Sequence, residues 1–110
     1  MTATSKEIAR LNDLARSAMG VACRLVITDG IAALGAQIQS RVRERVETYD
    51  AFTPDNDPHG ERDFGQFQEV GETIFWKIDY YNRDLTGGSP DPANPSKTVR
   101  VLTIMLALEY

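Results

Sequence analysis

Residues 62–81, RDFGQFQEVGETIFWKIDYY, constrain this chain more than any other stretch. Two segments rich in aromatic and β-branched residues flank Val70-Gly71, and side chains on either side alternate in a period of two. That pattern predicts two antiparallel strands joined by a two-residue turn, although valine suits a turn with positive φ poorly. Counting outward from the turn pairs Glu69 with Glu72, Phe67 with Ile74 and Gly65 with Trp76. A glycine opposite the tryptophan leaves space for the indole. On the second strand Ile74, Trp76, Ile78 and Tyr80 share one face, and Phe75, Lys77, Asp79 and Tyr81 share the other. Trp76, in phase with two isoleucines, is expected in the core.

The flanking segments supply the rest of a fold. TSKEIARLNDLARSA reads as an amphipathic helix with a capping box at Thr4 and Glu7, an apolar stripe at Ile8, Leu11, Leu14, Ala15 and Ala18, and an end at Gly20. VACRLVITDG reads as a strand closed by an Asp29-Gly30 turn. A second helix follows, with Ile38, Val42, Val46 and Tyr49 on one face and Arg41, Glu44, Arg45 and Thr48 toward solvent. After the hairpin comes a turn-rich loop over residues 82–95. Asn94 as cap and Pro95 at the first helical position then predict a C-terminal helix, whose continuous apolar run over residues 99–108 places it against the sheet. A strand over residues 99–105 is the competing reading. The expectation is a single α+β domain over residues 1–110, in the order helix, strand, helix, strand, strand, helix. Its sheet is mainly antiparallel and packed by helices. Whether one or both sheet faces are covered is left open.

Composition enters through what it excludes. With 110 residues there is room for one domain. No apolar run approaches the roughly 20 residues that span a bilayer, so no membrane partner is expected. The first twenty residues lack an apolar signal core, which predicts a cytoplasmic location. The single cysteine, Cys23, excludes an internal disulfide; in phase with Val21, Leu25 and Ile27, it reads as a small buried apolar side chain. Net charge is −4 and uneven: residues 1–50 carry seven basic and six acidic groups, residues 51–110 five and ten. An acidic half argues against a nucleic-acid partner, which needs clustered cations. Arg41, Arg43 and Arg45 do not share one helix face. The same charge suits a protein partner with a basic surface.

TPDNDPHGERDFG, residues 53–65, holds the densest set of functional groups: Asp55, Asp57, His59, Glu61 and Asp63 at alternate positions. A calcium loop fails because position twelve is Gln66 and Pro58 interrupts the turn. A zinc site fails because His59 is the lone histidine and no cysteine is near. No tight divalent metal and no cofactor are expected. The preferred reading is a series of turns in which Asp side chains accept from nearby backbone N–H groups. Phosphate-loop and nucleophile-elbow patterns are absent. If helices cover one sheet face only, Phe75 and Tyr81 become exposed aromatics and mark a binding surface.

AFTPDNDPHGERDFG, IFWKIDYYNRDLTGGSPDPANP and TVRVLTIMLALEY, with IARLNDLARS near the start, together resemble the small bacterial domain-of-unknown-function family numbered 3768. The Val70-Gly71 turn departs from the polar turn expected there. The resemblance carries no catalytic residue over. It implies an uncharacterised proteobacterial protein encoded near mobile elements, a context that suits an acidic inhibitor of host defence. The resulting expectation is a non-enzymatic module that binds a protein partner through Asp55, Asp57, His59, Glu61 and Asp63, with Phe75 and Tyr81 as anchors. The alternative is a small metal-dependent or acid–base hydrolase using the loop from Asp55 to Asp63. A homodimer through the sheet face is also open.

Overall fold

The computed structural model describes residues 3–110. Its elements are α1 (Ala3–Ser17), β1 (Arg24–Ile27), α2 (Asp29–Ala32), α3 (Ala36–Glu47), β2 (Phe64–Glu69), β3 (Glu72–Tyr81) and β4 (Val99–Leu106). Single 3-10 turns lie at Pro95–Lys97 and Ala107–Glu109. The four strands form one mixed sheet in the order β1-β4-β3-β2. The β1–β4 pair is parallel and the other two pairs are antiparallel. The chain is thus an α+β domain, as the sequence predicts. Among the described residues no helix is long and apolar enough to cross a membrane.

The hairpin forms in the register read from the sequence, with Glu69 opposite Glu72, Phe67 opposite Ile74 and Gly65 opposite Trp76. Both turn residues take positive φ, 48° at Val70 and 78° at Gly71. A left-handed valine costs about 1–2 kcal/mol, and its side chain stays half exposed.

The C-terminal helix is not there. Asn94 does cap, accepting the Ser96 N–H at 3.0 Å, and Pro95 does open a helical turn, but only one. The apolar run is β4, which lies between β1 and β3. A central strand needs its whole backbone paired and buries one face fully. Here Arg100, Leu102, Ile104 and Leu106 are buried beneath the helices. Their alternation is masked in the sequence because Val99, Val101 and Met105 on the opposite face are apolar too.

Smaller departures have local causes. Thr4 lies inside α1, and Glu7 pairs with Arg10 at 2.7 Å instead of closing a capping box. Leu14 falls outside the buried stripe and is half exposed. Helix α1 ends at Ser17, three residues before Gly20, whose φ of 82° turns the chain toward β1. That strand begins only at Arg24, leaving Val21 on the exposed turn, while Cys23 is buried with its Sγ 3.6 Å from the Ala15 carbonyl. Burial pushes the Cys23 thiol up. Asp29-Gly30 opens the short helix α2, braced by Glu109, whose carboxylate accepts from Gly30 N–H at 3.0 Å and from the Thr28 hydroxyl at 2.7 Å.

The helices pack on one side of the sheet. Trp76, Ile31, Ile74, Leu102, Ile104, Val42 and Val46 are fully buried there. Tyr49 and Phe52 meet the Trp76 ring edge-on, with centroids at 5.6 and 6.1 Å. Arg16 is buried beside them. It donates to the Val46 and Tyr49 carbonyls at 2.9 and 2.8 Å, capping the end of α3, and to Asp13 at 2.7 Å. Its guanidinium lies 4.9 Å over the indole. Its Nε has no hydrogen-bond partner among the described residues, but a cation whose terminal nitrogen bonds the last carbonyls of a helix is favourable against the macrodipole.

Candidate functional site

The five alternating residues of the loop do different things. Thr53 and Asn56 exchange hydrogen bonds to form a tight turn, and the Asn56 amide also donates to the Ala51 carbonyl. Asp57 accepts the Arg62 N–H on both carboxylate oxygens, each at 3.2 Å, and so holds Arg62 at a positive φ of 57°. Asp55 and His59 are exposed. Glu61 turns inward: its carboxylate accepts from the Tyr80 hydroxyl at 2.9 Å. Asp63 lies at the start of β2, where its carbonyl accepts the Ile78 N–H. Burial, and then the neighbouring Glu61 charge, push the Asp63 carboxyl above the usual range.

Glu61 belongs to a buried polar network that composition does not reveal. Asn12, fully buried on α1, donates to the Tyr80 hydroxyl at 2.8 Å and to the Glu61 carbonyl at 2.9 Å. Its side-chain oxygen accepts from Arg100 Nε at 2.8 Å. Arg100 also donates to the Pro92 carbonyl at 2.6 Å. Every polar atom of Asn12 is therefore used, which is the condition under which a buried network stabilises a fold. Burial pushes the Tyr80 hydroxyl up and holds the Arg100 guanidinium below its ordinary value. The sequence does carry a signal for this cluster. Asn12 and Arg16 sit one turn apart on the stripe that includes Ile8, Leu11 and Ala15, so two polar residues share the buried face.

Phe75 and Tyr81 lie on the opposite side of β3 from Tyr80, so the loop acids and the aromatic anchors are not one surface. The face they occupy has no helix over it. Phe75 packs edge-on against Phe64 at 5.3 Å and against Tyr110 at 5.6 Å. Beside them lie Val26, Tyr81, Val101 and Met105, around an ion pair of 2.8 Å between Lys77 and Asp79. That hydrogen bond raises the Lys77 pKa. A shallow depression of about 500 Å3 crosses this face.

A larger cleft, about 680 Å3, lies on the helical side between α1 and residues 50–62. Of the five alternating loop residues, only Asp57 lines it. Among the described residues, no group of three or more His, Cys, Asp or Glu side chains is placed to hold a metal ion. On α3, Arg41 and Arg45 are engaged by Glu69, at 2.6 and 3.2 Å, and Arg41 chiefly lowers the Glu69 pKa.

The family model described as "Protein of unknown function (DUF3768)" matches residues 27–109. The chain belongs to this family. The DUF3768 match takes in the loop, the hairpin and β4, hence most of the open sheet face. It leaves out α1, which contributes Asn12, Arg16 and one wall of the cleft. Neither a curated protein nor a solved structure matches the chain.

Proposed function

We propose that this protein is a non-enzymatic binding module that recognises a protein partner through its uncovered sheet face. The observation that carries the reading is the packing of helices on one side only, leaving Phe75, Tyr81, Val26, Val101 and Tyr110 on the other. Aromatic residues are enriched in interface cores, and the charges on this face, Lys77 and Asp79, are paired with each other. With strands about 4.8 Å apart and about 3.4 Å per residue, the face measures on the order of 500 Å2. That falls short of the roughly 800 Å2 that each partner contributes to a standard interface. The complex is therefore transient or draws in the rim. A flat face this shallow suits a protein rather than a small molecule.

The net charge of −4 and the exposed Asp55 support a basic partner, steered at long range. A bacterial, cytoplasmic setting and a role as a mobile-element-encoded inhibitor of a host defence protein belong to the same proposal. The hydrolase alternative draws less from the geometry. Asp57 is occupied by a backbone N–H and Glu61 by Tyr80, and the loop acids do not converge on one cleft.

The test is affinity capture from a lysate of the native host with three baits: the parent chain, Tyr81→Ser with Val101→Ser, and Asp55→Asn. A partner lost only with the double serine variant, whose melting temperature stays near the parent's, supports the face. A partner retained by that variant and lost with Asp55→Asn moves recognition to the loop and refutes the assignment.

A further inference from the structure

We propose that the cleft between α1 and residues 50–62 is a binding site for a small organic anion, an apolar body carrying one carboxylate or phosphate group. The cleft is on the helical side, so the inference is independent of the sheet-face reading. Its volume of about 680 Å3 lies within the usual range for small-molecule sites. One wall is a single face of α1, with Lys6, Arg10 and Asp13 at successive turns; the other carries Phe52, Pro54, Pro58 and Arg62.

The charges of this lining are mostly committed to one another. Arg10 is paired with Glu7 at 2.7 Å. Asp13 is shared between Arg16 at 2.7 Å and Arg62 Nε at 3.3 Å. Asp57 is occupied by the Arg62 N–H. What remains is the Lys6 ammonium, the two terminal nitrogens of Arg62 and the Asp50 carboxylate. Among the described residues none of these has a hydrogen-bond partner.

Arg62 is also pre-positioned. Asp57 fixes its backbone in the left-handed region, and its guanidinium lies 4.5 Å over the Phe52 ring, which the buried Arg16 supports at 5.4 Å. A guanidinium held over an aromatic ring, with its terminal N–H groups uncommitted, presents a fork that matches a carboxylate or phosphate. Ala9, Pro54 and Pro58 provide the apolar contact for the rest of the ligand. Asp50 and Asp57, the latter bonded only to a backbone N–H, leave negative charge in the lining, so the apolar contact is what selects an organic anion over inorganic phosphate.

The experiment is a titration of the full chain, followed by backbone amide NMR, with benzoate, phenyl phosphate, inorganic phosphate, benzamide and benzylamine as probes. Saturable shifts at Lys6, Ala9, Gly60 and Arg62 are expected with benzoate or phenyl phosphate, and which of the two binds tighter separates a carboxylate from a phosphate ligand. Benzamide and benzylamine are expected to leave those amides unmoved. Arg62→Gln should weaken the binding by about tenfold, the scale of losing a charge-assisted pair. Lys6→Gln, on the exposed side of α1, should weaken it without altering the fold. The proposal is overturned if neither aromatic anion saturates in the millimolar range. It is equally overturned if benzylamine binds as tightly as benzoate, if both variants bind as the parent does, or if the shifts map to the open sheet face.

Discussion

Replacing Gly65 by alanine tests the packing around Trp76 with the smallest possible change. A Cβ at position 65 would lie 2.8 Å from Trp76 Cε2 and 2.8 Å from Tyr49 Cε1, well inside the roughly 3.5–4.0 Å of comfortable carbon contact. The indole has little room to retreat, because Tyr49, Phe52 and Arg16 surround it. Overpacking of this kind costs about 1–3 kcal/mol. Against it stands the entropy gain of removing a glycine from a strand, about 0.5–1 kcal/mol. The net loss is then about 1–2 kcal/mol, or a fall of about 4–8 °C in melting temperature for a domain of this size. Calorimetry on Gly65→Ala measures it directly, and a cycle with Trp76→Phe identifies its cause. Phenylalanine lacks the five-membered edge that the new methyl meets. Trp76 Nε1 has no hydrogen-bond partner among the described residues, so the exchange sacrifices packing but no hydrogen bond. In the Trp76→Phe background Gly65→Ala should therefore lose most of its cost, leaving a coupling of about 1 kcal/mol or more. An equal fall in both backgrounds, or a rise in the parent, would refute the reasoning.

Val70→Asn should raise the melting temperature by about 4 °C, since asparagine tolerates the left-handed region and the half-exposed valine packs little; a thermal scan showing no gain would mean that the valine contributes contacts beyond its exposure. Asp63→Asn should stabilise the protein at neutral pH. The folded pKa of Asp63 is raised, so the native state holds its proton more tightly than the unfolded chain, and stability is lost as pH rises from the ordinary carboxylate range through the raised value. The advantage of the amide should accordingly shrink as pH falls toward the ordinary range, and a difference independent of pH would count against buried charge as its cause.

The hairpin was legible to the residue because three signals agreed: strict alternation, a two-residue connection and a glycine facing the largest side chain. Helix α3 was legible because Val42 and Val46 stand on an otherwise polar sequence. For β4, the start signal at Asn94-Pro95 was real but governed a single turn. The strand beyond it is decided by neighbours far away in sequence, β1 on one side and β3 on the other. Alternation marks a strand only when one face is polar, and Val99, Val101 and Met105 erased that contrast. The loop misled in a related way. Five acid or imidazole groups at alternate positions look like one device, yet Asp57 and Glu61 are directed to different partners, a backbone N–H and a buried tyrosine. Asp57 follows the turn reading, since its N–H partner is five residues away; nothing local fixes the direction of Glu61, which depends on where α1 brings Asn12 and on where β3 brings Tyr80.

The two sides of the sheet therefore invert what the sequence suggests about function. Groups that resemble chemistry, such as Glu61, Arg100, Tyr80 and Arg16, are used internally, where each satisfies another buried polar atom. Residues that resemble core, such as Val101, Phe75 and Tyr110, lie on the side no helix covers. A chain of this length has limited apolar area to bury, so leaving a sheet face open forgoes stability that a further helix would add. The edge-on stack of Phe64, Phe75 and Tyr110 recovers part of it by letting the C-terminal ring rest on the face. Tyr110 itself remains mostly exposed, so the ring occupies the face without sealing it. Under the proposed binding role, a partner docking there would gain the apolar area of the sheet and displace only the contacts of one ring.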